Sequence, residues 1–186
     1  MSELHIEYLK SLCSTISLDG QQPFVAAQPD ALGQGRFLET RPPLDRFQEL
    51  IPCVVVQHYP LTPARDGRRS ERLDRNGNNL RFLRCEYQRQ FRYRLDFWMN
   101  DPAQEVLSNQ TEVGITEQIQ LYVIAHERFM NQLSTVTVAL GPSGLVEDPD
   151  RSNGLFYVYQ EILFQDDLCL VEEVPSLAGK QIQVKI

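Results

Sequence analysis

Three histidines, four cysteines and several close acidic pairs are the side chains of this chain that could do chemistry. His5, His58 and His126 could exchange protons near neutral pH or bind a metal. None stands at ligand spacing from another or beside a cysteine. His126 falls on an apolar stripe of helical period and reads as a packing residue. Cys13, Cys53, Cys85 and Cys169 are scattered, form no CxxC pair and sit in apolar runs. A free thiol there behaves as a small hydrophobe, so all four are expected buried and reduced, as in an intracellular chain. The acidic pairs Asp101 with Glu105, Asp148 with Asp150, Asp166 with Asp167 and Glu172 with Glu173 suit a cap, a loop, a turn and a strand exit. Asp148 and Asp150 begin the spacing of a calcium loop, but its remaining ligands are missing. No G-x-S-x-G elbow, G-x-G-x-x-G or P-loop lysine is present. The expectation is a protein that is not an enzyme, with no catalytic residue, no metal and no cofactor.

The arginines make a stronger pattern. Arg65, Arg68, Arg69, Arg72, Arg75, Arg81 and Arg84 crowd one short stretch, answered only by Asp66, Glu71 and Asp74 before Glu86. Such a run is either a solvated face or an electrostatic contact. The planar guanidinium pairs bidentately with carboxylates or phosphates, so the stretch could take an acidic neighbour or a DNA backbone. The net charge of −7 favours the first, because a dedicated nucleic-acid binder is usually basic. Copies of the chain could set this basic arm against Glu147 and Asp148, or Glu172 and Glu173, of the next copy. That is a heterologous contact, the kind that closes rings. Arg92 and Arg94 extend the candidate interface.

The element that must position these charges is a long alternating ribbon from Leu83 to Phe97. Its odd positions are almost wholly apolar, with Arg89 the exception, and its even positions are charged or amide. Side chains of a strand point alternately to opposite faces. At about 3.3 Å per residue the ribbon spans roughly 50 Å, far beyond an ordinary strand. Such a length suits a strand that finds hydrogen-bond partners in adjoining molecules. The polar insertion 65–81, with its Asn76-Gly77 turn signal, predicts a projecting hairpin or loop leading into it.

Elsewhere the patterns are ordinary. Leu4, Tyr8, Leu12 and Ile16 predict an N-terminal helix. Residues 21–43 read as loop, Phe47–Ile51 as a helical turn, and Cys53–Val56 as a strand buried on both faces. Asn100-Asp101-Pro102 starts a short helix over 103–107. Ile115, Ile119, Tyr122, Val123, His126, Met130 and Leu133 predict a second, longer amphipathic helix. Strands follow at Val136–Leu140 and Leu155–Phe164, with Gly141–Gly144 as a turn and Leu145–Asn153 as an acidic loop. Asp166-Asp167 is expected to turn the chain into a hairpin strand at Leu168–Val171, and Gln181–Ile186 to be a last strand. This order predicts an α+β fold: a mostly antiparallel sheet, helices on one face, and a long protruding hairpin or loop, in a single domain over 1–186. The 42% apolar and 23% charged shares are those of a soluble globular protein. The start MSELHIEYLKSL is no signal peptide, and no apolar stretch is long enough to cross a bilayer.

The ribbon CEYQRQFRYRLDFW, the segments DPAQEVL and TEQIQLYVIAHERF, and the late LFYVYQEILFQDDLCLVEEV together resemble the tail terminator, or tail-completion, proteins of tailed bacteriophages. A neck or baseplate ring protein would read similarly. The resemblance implies a structural virion protein whose copies form a ring, a hexamer in that family, capping the tail tube and joining tail to neck. It implies as partners copies of the chain, tail-tube and sheath subunits, and neck or connector proteins, with DNA only as the passing genome and no membrane. It places the protein in the virion, and in the host cytoplasm during assembly. The alternative is a nucleic-acid-binding module using Arg65–Arg84.

Overall fold

The computed structural model describes residues 3–17, 36–41, 43, 48–60, 64–76, 79–99, 114–130, 135–147 and 156–175, with the backbone alone for 36, 48, 60, 64–76, 79–81, 83, 86, 147, 168, 171 and 173–175. Expected elements at 103–107 and 181–186 lie outside these residues. The fold is α+β. Helix α1 (Glu3–Thr15) precedes strands β1 (Arg36–Leu38), β2 (Cys53–Pro60), β3 (Ala64–Asn76) and β4 (Asn79–Met99). Helix α2 (Ile115–Ala125), β5 (Arg128–Met130), β6 (Thr135–Glu147) and β7 (Phe156–Pro175) complete the order. All seven strands join one sheet, β1-β2-β4-β7-β6-β5, with β3 also paired to β4. Only β1 and β2 run parallel.

Apolar alternation decides the layers. Odd residues of β4 (Tyr93, Leu95, Phe97), with Val54 and Val56 of β2 and Val158, Ile162 and Phe164 of β7, form one buried sheet face. Both helices cover it: Ile6, Leu9, Leu12 and Cys13 from α1, Ile115, Ile119 and Val123 from α2. The helices are tied to each other by polar contacts. Gln118 Nε2 donates to the Ser17 carbonyl at 2.8 Å, its Oε1 accepts from the Ser17 N–H at 2.9 Å, and the Tyr122 hydroxyl donates to Ser11 Oγ at 2.9 Å. On the other face, Cys53, Val55 and Trp98 make a smaller core, so the Cys53–Val56 run is buried on both faces as its composition predicts.

Several local expectations are corrected. The second helix stops at Ala125, where the His126 N–H closes on the Tyr122 and Val123 carbonyls at 3.0 and 3.2 Å. The chain then becomes β5, whose Phe129 stacks on Tyr8 at 5.4 Å while Met130 stays 66% exposed. His126 is exposed, stacked on Tyr122, and not in the core. Gly141–Gly144 is no turn, and no acidic loop opens at Leu145. β6 runs on to Glu147 through a register shift between Leu140 and Ser143. Glycine is needed at 141 because a side chain's Cβ would meet Glu161 Cβ at 2.9 Å. Gln160 Nε2 satisfies the irregular strand by donating to the Gly141 carbonyl at 2.8 Å.

Asp166-Asp167 is no turn either: β7 continues to Pro175. The Asp166 carboxylate is compatible with the ladder because Arg89 stands directly opposite and neutralises it. The thiol expectation also fails at two positions. The β4·β7 register sets Cys85 against Cys169 with Cα atoms 4.0 Å apart, and the two are joined as a disulfide. Cys13 and Cys53 are buried and form no disulfide.

Candidate assembly interface

The helix-covered core ends abruptly along β4 and β7. Arg89 closes it: its Nε donates to Asp166 Oδ1 at 2.9 Å and its Nη2 to Oδ2 at 2.6 Å, with Asp166 only 3% exposed. Bidentate, charge-assisted bonds of this kind are what make a buried carboxylate tolerable. Beside the pair sits His5, stacked on Phe164 at 4.4 Å and edge-on to Phe91 at 4.9 Å, with Nδ1 3.3 Å from the Tyr93 hydroxyl. Burial lowers its pKa from 6.5 to about 4, so it is neutral at physiological pH. His58, over Phe91 and Tyr93, is lowered by burial too. Burial also pushes the Cys13 thiol up. His5 and Cys13 are packed inside an apolar layer, and burial favours their neutral forms. They are set up for cohesion between α1 and the sheet.

Beyond Arg89 and Asp166 the sheet continues as three strands. β4 pairs with β7 as far as Asn79↔Pro175. It pairs with β3 from Ala64↔Gln88 to Asn76↔Asn79. The polar insertion is therefore strand, but the expected lone protruding hairpin is replaced by a three-stranded extension, because β7 runs along the second edge of β4. Two irregularities bend it: a register shift in β3 between Arg65 and Ser70, and one in β4 between Cys85 and Tyr87. At the latter, the disulfide joins the middle strand β4 to β7.

The central expectation for the ribbon, that β4 itself finds partners in other molecules, is overturned. β4 is interior: β2 covers one edge from Phe91 to Trp98, β3 the same edge from Asn79 to Gln88, and β7 the other edge throughout. The open edges lie one strand further out. β6 covers β7 only between Phe156 and Gln165. Among the described residues, no strand pairs with the outer edge of β7 from Asp166 to Pro175, or with the outer edge of β3. A strand edge with no neighbour can accept a further strand. The apolar side chains Tyr87 and Leu170 on this extension are 42% and 71% exposed.

The candidate interface residues separate into three groups. Arg65, Arg68, Arg69, Arg72 and Arg75 lie along β3. Arg84 is on β4 between Glu71 and Leu170 in register, and Glu172 and Glu173 are on β7 opposite Phe82 and Arg81. All of these belong to the extension. Arg92 and Arg94 do not: they lie on the sheet face away from the helices and are engaged within the chain. Arg94 Nε donates to Asp96 Oδ1 at 2.6 Å, and its guanidinium lies 4.3 Å from the Tyr159 ring centroid. Arg92 lies over Tyr59 at 5.0 Å and 3.8 Å from Glu161. Asp96 is 2% exposed and also accepts from Gln57 Nε2 at 2.6 Å. Burial holds its carboxyl above the usual range, opposed by those two donors. Glu147 ends β6, and Asp148 lies outside the described residues.

Sequence reasoning missed the Arg89–Asp166 pair, the disulfide and the two open edges. Arg89 carried a signal, as the one charged residue in an apolar series. The cysteine pairing and the edges had none, since both depend on which strands lie side by side. Among the described residues, no three His, Cys, Asp or Glu side chains converge as a metal requires, and no helix is long and apolar enough to cross a membrane. No protein-family model and no curated protein matches the chain.

Proposed function

We propose that this protein is a structural virion subunit. Its copies assemble into a closed ring that caps the tail tube of a tailed bacteriophage and joins it to the neck. The observation that carries this reading is the three-stranded extension of β3, β4 and β7, whose outer edges have no strand beside them among the described residues and which exposes Tyr87 and Leu170. An edge left in this state is a liability for a solitary protein and an asset for a self-assembling one. Main-chain hydrogen bonds join subunits whatever their side chains, while the charged residues set partner and register. The Cys85–Cys169 disulfide supports the same reading, because virion surfaces are among the oxidising settings where such bonds persist. Tail-tube subunits below the ring and neck subunits above it are the partners. The genome passes through its lumen.

Native mass spectrometry and negative-stain imaging of the purified full chain test this. A single closed oligomer, with six copies the expectation from the resemblance, supports the reading. A monomer across the accessible concentration range overturns it.

A further inference from the structure

The ladders of the extension are interrupted at one level. β4 shifts register against β7 between Cys85 and Tyr87, where Cys85↔Cys169 is followed by Tyr87↔Leu168. β3 shifts against β4 at the same height, between Ser70↔Cys85 and Arg65↔Tyr87. Together the two irregularities form a seam across the sheet, and a bulged ladder is disrupted and bends where the extra residue sits. On one side lies the helix-covered core, which among the described residues reaches Phe91 on β4 and Phe164 on β7 and no further. On the other side, none of the described side chains of β4 and β7 (Phe82, Arg84, Cys85, Cys169, Leu170 and Glu172) is buried. Register is strongly specified only where one sheet face is buried. From Arg84↔Leu170 to Asn79↔Pro175, burial of these side chains therefore does not fix it. The Cys85–Cys169 bond does, because it stands at the seam and joins directly opposed residues.

We propose that this disulfide is a redox switch. Oxidised, it holds the outer part of β7 in register on β4; reduced, it lets that part open while the helix-covered half stays folded. The switch does not depend on the ring reading. Cys85 and Cys169 are both only half-buried, flanked along their strands by Tyr87 and Leu170, which are 42% and 71% exposed. That leaves the bond within reach of a small thiol from solvent, and exposed disulfides are the labile, regulatory ones. Cys13 in α1 and Cys53 at the start of β2 are 0% exposed, so neither competes for exchange. A segment with few buried contacts opens separately from the core beside it, and β7 beyond the seam is such a segment. The reductant is a small thiol of the glutathione class. Its thiolate attacks one sulfur of the pair, forming a mixed disulfide and expelling the other cysteine as a thiolate that takes up a proton. A second glutathione thiolate then attacks the mixed disulfide, releasing glutathione disulfide and the remaining cysteine thiol. Two electrons pass to the protein, and exchange with glutathione disulfide returns them.

Amide hydrogen exchange of the unaltered full chain tests the switch, read by mass spectrometry before reduction with glutathione, after it, and again after glutathione disulfide. Counting thiols by mass fixes the state of each sample. Reduction is expected to speed exchange over residues 170–174 by about tenfold or more and reoxidation to restore it, while 93–97 and 158–164 stay as they were. Cys85→Ser with Cys169→Ser is expected to exchange like the reduced protein and to ignore glutathione, its protection over 93–97 showing that it is folded. Unchanged exchange over 170–174 on reduction overturns the proposal. So does loosening spread equally over both halves, which would make the bond a plain staple. A bond that glutathione opens only in denaturant overturns it too, as do thiols at 85 and 169 that glutathione disulfide does not join. A chain that is monomeric in both redox states removes the ring reading and leaves the switch to be decided by the exchange rates.

Discussion

At the scale of single residues, His5, Arg89 and Asp166 serve cohesion through stacking and ion pairing. His5 is 2% exposed between α1 and the sheet, and the folded chain keeps it neutral to about pH 4 against an ordinary 6.5. Between those values the unfolded chain takes up the proton and the folded chain does not. The stability this group contributes is therefore whole above pH 6.5 and is lost as pH falls towards 4. Urea unfolding at pH 7 and pH 4.5 is expected to show the loss, of order 2 kcal/mol, from a shift of this size. His5→Phe, which keeps the stacking on Phe164, is expected to remove that part of the acid dependence. An equal pH slope in the variant would show that other groups cause it. The polar face has a matching logic. Asp96 is the hub of Gln57 and Arg94, and burying a carboxylate there is tolerable only with its donors in place.

At the scale of elements, β4 and β7 form the spine. Twenty opposed pairs run from Asn79↔Pro175 to Met99↔Phe156, and among the described residues the core anchors the end nearest the helices. The far end relies on the ladder and on the Cys85–Cys169 bond, which closes a loop with a sequence separation of 84. Cysteine pairs closing long loops chiefly restrict the unfolded chain, and losing one costs about 2–4 kcal/mol. Replacing both Cys85 and Cys169 with serine is expected to lower the urea midpoint accordingly. Dithiothreitol should destabilise the unaltered protein and leave the variant where it is. Thiol titration in denaturant should find only Cys13 and Cys53 reactive; four reactive thiols would refute the bond.

For the molecule as far as its described residues go, one half is a sheet covered by α1 and α2, and the other half is sheet with no described helix upon it. Leu170, 71% exposed, marks the difference. A surface substitution there, Leu170→Asp, is expected to change monomer stability by under about 0.5 kcal/mol. Burial of that side chain between copies would make the same change weaken assembly, read as a rise in the monomer fraction by analytical ultracentrifugation. Unchanged assembly would place the subunit contact away from this face of the extension.

What the chain determined by itself was which residues point together. The period-two ribbon, the Cys53–Val56 run and the Leu9–Leu12 side of α1 all follow from local alternation, and with them the α+β class and the sheet face that the helices cover. Alternation reports faces and says nothing of edges. Which strands lie beside β4, that Cys85 meets Cys169, that Asp166 meets Arg89 in place of starting a turn, and that α2 yields to β5 at His126 were decided by pairings between residues far apart in sequence. A backbone hydrogen bond is nearly the same for every residue, so its partner is chosen by the register of the whole sheet. For that reason the open edges, on which the proposed assembly depends, came to light only in the folded molecule.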